Sequence, residues 1–363
     1  GDGNVLGRAP AAGNKIRVEY ISTKGAAANT ASQFEGSLLL VNGVEYPIIV
    51  NSAVEAAGGS SKESTASIKK NAPALHTTQK RLVTAQDYQT LIKSTFSQYI
   101  SDVVAWGGED NDPPKYGAVF ASLKFKDGLS NLAQQEVKQI IKDQLTSNIS
   151  IMSIDTEFVD PNIAFLELTV QFNIDASKTS TTAQSLEVKV SQLVQDYFSE
   201  NLETFNTSFR RSRLLSRIDD FSQAILNSRV DVKMQQRISN TVAGIPHDYT
   251  LTYPVVLASP DKDTHVITSS VFTSNGQSVL IKNELGSNRL QLFNTSNVPI
   301  LLNVGYYNSA TGTVNINALT IDQNSTIKVS AVPANPSTIS PPRNFILSLD
   351  TAALSVTGRR EDI

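Results

Sequence analysis

The chain has 363 residues, 18% of them charged and 40% hydrophobic, with a formal net charge of −3. That balance marks neither a nucleic-acid binder nor a membrane-surface protein. The absence of cysteine excludes disulfides, thiolate catalysis and every Cys-based metal site, and no apolar run approaches the ~18 residues of a membrane helix.

Ser, Thr, Asn and Gln take the place of the missing charge, which suits a protein whose faces are largely covered by neighbours. The opening GDGNVLGRAP has no methionine and no signal peptide, and is read as the start of a piece cut from a longer protein. KIRVEYIS, SQFEGSLLLV and VEYPIIV alternate apolar and polar residues and are predicted strands. Asn42-Gly43 between the last two is a strong hairpin signal. A helix is predicted from Ser64, kinked or ended by Pro73.

At Thr84-Ala85-Gln86-Asp87 the spacing is that of a capping box, with Asp in place of Glu or Gln. Val83 and Tyr88 then occupy the two positions of a hydrophobic staple. VVAWGG and YGAVFASLKF read as strands around the acidic loop EDNDPP. Ser130 is the expected cap of a helix with Ala133, Val137, Ile140, Ile141 and Leu145 on its apolar face. IMSIDTEFVD and IAFLELTVQFNID are strands. A second helix follows, opened by Thr181 and Gln184 and carrying Leu186, Val190, Leu193, Val194 and Tyr197 on one face. A break at Asn206-Thr207-Ser208, with Ser208 as cap, precedes a third helix that buries Leu214, Ile218, Phe221 and Ile225. RVDVKMQQRIS is a strand.

Beyond Pro246 the helical signals vanish. THVITSSVF, SVLIKN, RLQLFN, PILLNVGYYN, GTVNINALTI, TIKVSAV and NFILSL are short strands separated by turns. The expected fold is therefore multidomain α+β. It has a β-rich N-terminal segment (1–62), a central split-βαβ body with long helices (63–246) and a small all-β sandwich or barrel (247–363).

No constellation of catalytic type survives weighing. The cluster His76, Lys80, Arg81, Asp87 and Tyr88 lacks a second His or a carboxylate at i+3 or i+4 from His76, and Asp87 and Tyr88 have capping work to do. His76, His247 and His265 are the only histidines and share no metal-ligand spacing. There is no G-x-S-x-G elbow and no phosphate-cradling glycine loop. Glu109, Asp110 and Asp112 lack the spacing of a calcium loop. Asp155, Glu157, Asp160 and Glu167 are dense enough to raise a tail-associated glycosidase as the alternative, or a carbohydrate-binding module, but aromatic residues are only 7% of the chain. Arg210, Arg211, Arg213 and Arg217 form the one dense basic cluster. A contact to an acidic partner or to nucleic acid is set against neutralisation by Glu200, Glu203, Asp219 and Asp220. No catalytic, cofactor-binding or metal residue is assigned, and no cofactor is expected.

The stretch ESTASIKKNAPALHTTQKRLVTAQDYQTLI resembles the baseplate J-like family of contractile phage tails and related injection machines. Its Ser-rich lead-in, apolar-Pro step and Asp87-Tyr88 helix start carry the likeness, with VVAWGGED, GAVFASLKF and the Tyr…Thr-Gly-x-Val pair in NVGYYNSATGTVNI. The resemblance implies a non-enzymatic structural subunit of the virion baseplate, made in the host cytoplasm, in a ring that joins wedges around the tail hub. It implies pairing with itself and with other baseplate wedge proteins, and no nucleic acid or membrane among the partners. Two different self-contacts, each two-fold, alternate into an even-numbered ring. A joint near residues 240–248 is the expected pivot during sheath contraction.

Overall fold

The computed structural model describes residues 38–48, 82–148, 154–239, 243–323 and 325–361 continuously, with isolated positions before residue 82. Lys80, Arg81 and the Leu145 side chain fall outside the described residues, KIRVEYIS is described only at positions 15, 17, 19 and 22, and the described positions from 65 to 76 are helical. The strands β1 (Leu39–Val41) and β2 (Val44–Tyr46) pair as a hairpin. Asn42 at φ 51° and Gly43 at φ 81° make the mirror-image turn that matches the strand twist.

A first unit is built on a three-stranded sheet. Its strands are β3 (Ile100–Gly107), β4 (Ala118–Phe125) and β5 (Asp155–Val159), in that order. β3 and β4 are antiparallel, while β4 and β5 are parallel and need a crossover, supplied by α2 (Asn131–Asn148). The helix α1 (Ala85–Thr95) lies against β3 and puts Tyr88, Leu91 and Ile92 into a core with Leu82, Val103, Leu123 and Ile141. Ser130 accepts from the Ala133 amide at the start of α2. Val137 and Ile141 are buried, but Ile140, expected on the same face, is exposed.

The second unit begins with β6 (Asn162–Asp175), whose even-numbered residues from Ala164 to Ile174 are all buried. They meet α3 (Ala183–Asn201) through Leu186, Val190, Val194, Tyr197 and Phe198. The cap of α3 is Thr182, which accepts from the Ser185 amide, one residue later than Thr181. Thr181 is engaged with Thr179 instead. After α3 the chain turns at Asn206 (φ 57°) into β7 (Phe209–Arg210), paired with β17 (Thr338–Ile339), and then α4 (Arg211–Asp219). Ser208 is therefore not the cap: Phe209 is pulled into the core and the strand pairing fixes the entry to α4. Leu214 and Ile218 are buried as expected for the α4 face, whereas Phe221 is 40% exposed and Ile225 is buried as the first residue of β8 (Ile225–Ile238).

The long antiparallel pair β6/β8 does not end the sheet. β8 continues into β16 (Ile327–Ala331), then β10 (Ile267–Ser269), β12 (Gln277–Asn283), β13 (Arg289–Asn294), β14 (Pro299–Asn308), β15 (Thr313–Leu319) and β9 (His247–Thr252). β11 (Phe272–Ser274) pairs with β12. On the other edge of β6 run β18 (Phe345–Leu349) and β19 (Ser355–Glu361), both parallel to it. Beyond β9 the chain bonds back to the segment after β16: Ala258 N donates to Val332 O at 2.9 Å and Ala334 N to Val256 O at 3.0 Å. The seven-strand series from β16 to β9 thus closes on itself, as a barrel does, instead of stacking as two sheets.

The runs read from the sequence after Pro246 are strands; β9, β17 and β19 lie outside those runs. A division at 246/247 does not separate two sheets, because β8 and β16 share a five-residue register across it. One continuous core spans α3, α4, β6, β8 and the closed strands.

Candidate interaction surfaces

The α1 start shows how local sequence sets local structure. Thr84 Oγ1 accepts from the Asp87 amide at 3.3 Å, and Asp87 Oδ2 accepts from the Thr84 and Val83 amides at 2.9 and 3.2 Å. Burial pushes the Asp87 carboxyl up, but these donors outweigh it and hold it below the ordinary range. Val83 is 57% exposed and is no staple; Leu82 takes that place in the core beside Tyr88. Thr84→Ala is expected to cost about 1 kcal/mol in urea unfolding, with Thr84→Ser close to wild type. Thr84, Asp87 and Tyr88 are thus scaffold in geometry, and Val83 contributes only its amide. His76 is exposed.

The four carboxylates that suggested glycosidase chemistry are split between two sheets. Asp155 pairs with Lys142, Glu157 with Lys115 and Asp160 with Lys138, all on the first unit. Glu167 lies on β6, where it accepts from Ser330 and Gln235 at 2.6 Å each. They do not converge on one space. Asp110 of the acidic loop pairs with Arg343 at 3.1 Å. No group of three or more metal-ligating side chains occurs among the described residues.

The arginine cluster is also divided. Arg217 pairs with Glu200 at 2.9 Å and lies 6.0 Å from the Tyr197 ring. Arg211 donates to Ser337 Oγ. Arg210 and Arg213 are exposed and carry no ion pair among the described residues.

A polar network ties the second unit together. Asp350, 3% exposed, follows β18 and accepts from Lys328 Nζ at 2.6 Å and Gln235 Nε2 at 2.7 Å, with Arg237 at 3.6 Å. Burial raises its carboxyl pKa, but Lys328, Gln235 and Arg237 together hold it below the ordinary value. Arg237 lies 3.5 Å from the Phe165 ring centre. Beneath the same strands, burial pushes the Tyr253 hydroxyl far up, and it donates to Val329 O. The charged groups here hold strands together and face inward.

What faces outward on the first half of β14 is mostly apolar. Val298, Ile300, Leu301 and Leu302 are consecutive but for one proline, and all are exposed. Residues 290–321 contain no Asp, Glu, Lys, Arg or His. The hairpin β1/β2 is likewise exposed on both strands. Surfaces of this kind are kept for contact with other proteins. The sequence showed the poverty in charge; it gave no sign that β14 would present two open faces.

Comparison with known proteins adds an independent line. Residues 84–159 match the family model "Baseplate structural protein gp6, C-terminal domain I", and residues 162–237 match "Baseplate structural protein gp6, C-terminal domain III". The boundary between the matches falls at Asp160-Pro161, where the three-stranded sheet ends and β6 begins. The chain is 28% identical over 241 residues to "Baseplate wedge protein gp6" of Enterobacteria phage T4, covering 64% of this chain and 35% of that protein. The chain thus spans about a third of the length of the curated relative it matches. These similarities run to structural baseplate proteins and not to enzymes. From Thr84 to Arg237, then, the chain is gp6-like, similar to the structural subunits of a phage baseplate.

Proposed function

We propose that this chain is part of a structural subunit of the virion tail baseplate of a contractile-tailed phage, with the wider baseplate J-like grouping suggested by its Thr84–Tyr88 step. It works by contacts with other baseplate wedge proteins and with itself, in an even-numbered ring around the hub. The match of residues 84–237 to two gp6 domain models carries the reading. The uncharged, largely apolar first half of β14 supports it, because a subunit covered by neighbours needs such faces. Arg210 and Arg213 are proposed as a second contact, to an acidic neighbour.

A baseplate that changes shape needs subunits that move without parting. The joint near 240–248 is not favoured, because the β8/β16 ladder bridges it. The seam between residues 84–159 and the second unit is thinner. Val104, Trp106, Ala118 and Phe120 meet Phe205 and Ile346 there. We place the pivot at that seam.

Gold-labelled antibodies against the closed strands, applied to purified tails of the source phage, test the role. Label at the distal end of the tail is the expected result. Its absence from tails, or its presence only on free enzyme-like species that cleave peptidoglycan, overturns the proposal.

A further inference from the structure

The sequence carries Asn-Gly twice, at Asn42-Gly43 and at Asn275-Gly276. Each pair turns a two-residue hairpin: Val41 faces Val44 across the first, and Ser274 faces Gln277 across the second. The backbones are close to identical, with φ 51° and 81° in the first turn and 49° and 74° in the second. All four residues are exposed. Neither glycine has a neighbour within 4 Å of where a Cβ would stand.

What holds the glycine amide separates the two turns. Asp322, tied by its own amide to Thr273 O at 3.0 Å, accepts from the Gly276 amide at 2.6 Å and from the Asn275 amide at 2.9 Å. Among the described residues no acceptor takes the Gly43 amide.

A free amide in that place is a nucleophile beside an asparagine side chain. The Gly43 nitrogen bonds to Asn42 Cγ, the Cγ–Nδ2 bond breaks, and the nitrogen's proton departs with the side-chain amide as ammonia. Water then opens the cyclic imide at either carbonyl and leaves aspartate or isoaspartate. Glycine favours the closure because it has no side chain to obstruct it.

At Gly276 the Asp322 carboxylate opposes the same closure. It is far too weak a base to remove an amide proton, so it holds the N–H and does not activate it. Losing a hydrogen bond to a charged acceptor on the way to the transition state slows the closure by about tenfold or more.

We propose that Asn42 is a spontaneous modification site, converting to aspartate and isoaspartate, and that Asp322 is the clamp that spares Asn275. Isoaspartate lengthens the main chain by a methylene and places a carboxylate at the hairpin tip. Conversion therefore alters the turn beneath an exposed apolar surface carried by Leu39, Val41, Val44 and Tyr46.

The purified chain, kept folded in mildly alkaline buffer, is followed by peptide mapping, with electron-transfer fragmentation to tell isoaspartate from aspartate. Asn42 is expected to convert at least about tenfold faster than Asn275. In urea the clamp is lost, and the two rates should come within about threefold of each other. Asp322→Ala, checked for folding by its melting curve, is expected to raise the Asn275 rate about tenfold and leave Asn42 unchanged. Equal rates in the folded wild type, or a gap that persists in urea, overturns the proposal without need of a variant. A folded Asp322→Ala chain in which Asn275 stays slow removes the clamp.

Discussion

Asp350→Asn is expected to lower stability by about 2 kcal/mol at neutral pH, and the deficit should vanish in strong acid. A fully buried ion pair broken on one side costs roughly 3–5 kcal/mol. Lys328 and Arg237 keep 33% and 31% of their side chains exposed, so water recovers part of that loss. The pH dependence follows from the depressed carboxyl. Folding holds Asp350 below its ordinary value of 3.8, so its contribution is complete above that value and is lost as the pH falls through the lower one. Urea melts of wild type and variant at neutral pH and at about pH 3 check it. A gap that stays constant across that range would show that the carboxylate's charge is not what matters. The seam affected is the β8/β16 ladder, so hydrogen exchange should rise in both strands together.

Asp102→Ala should cost about 2–3 kcal/mol and split one unfolding transition into two. Asp102 lies on β3, 7% exposed, and accepts from Lys93 Nζ at 2.6 Å within its own unit. Its other oxygen accepts from the Phe205 amide at 2.9 Å, in the second unit. Removing the carboxylate strands a buried amide at the one place where the two units share few apolar contacts. Trp106 and Phe120 stack at 5.9 Å beside it, and a groove of about 390 Å³ runs along the seam between Phe125 and Ile346. Each unit keeps its own core, so each should stay folded while the coupling falls. Calorimetry reads the number of transitions, and limited proteolysis reads cleavage near Asp160. A single transition merely shifted to lower temperature would mean that the seam is not the weak joint, and the proposed pivot would go with it.

Short-range chemistry was legible in the sequence. The Thr84–Asp87 box, the Ser130 cap and the Asn42-Gly43 turn depend on residues within four positions, and the apolar faces of α1 and α3 depend on spacing alone. The failures lie where distant partners decide. Ser208 lost its capping role because Phe209 pairs with Ile339, far along the chain. Phe221 fits a helical face by spacing, but α4 ends at Asp219 and leaves it exposed. Asp155, Glu157, Asp160 and Glu167 are neighbours in sequence, yet the break at Pro161 parts them: the first three meet separate lysines, and Glu167 on β6 meets Ser330 and Gln235. The run PILLNVGYYN reads as one strand. Only the partial pairing by β15 makes its first half an open edge.

The two parallel strands on β6 carry a consequence for biosynthesis. β6 is made well before residues 345–349 and 355–361, which fill its free edge, and the Gly358 amide there donates to Glu187 on α3. A ribosome must therefore translate nearly two hundred further codons before that edge is sealed. Until then the nascent polypeptide exposes an unpaired strand edge, the kind of surface that invites aggregation.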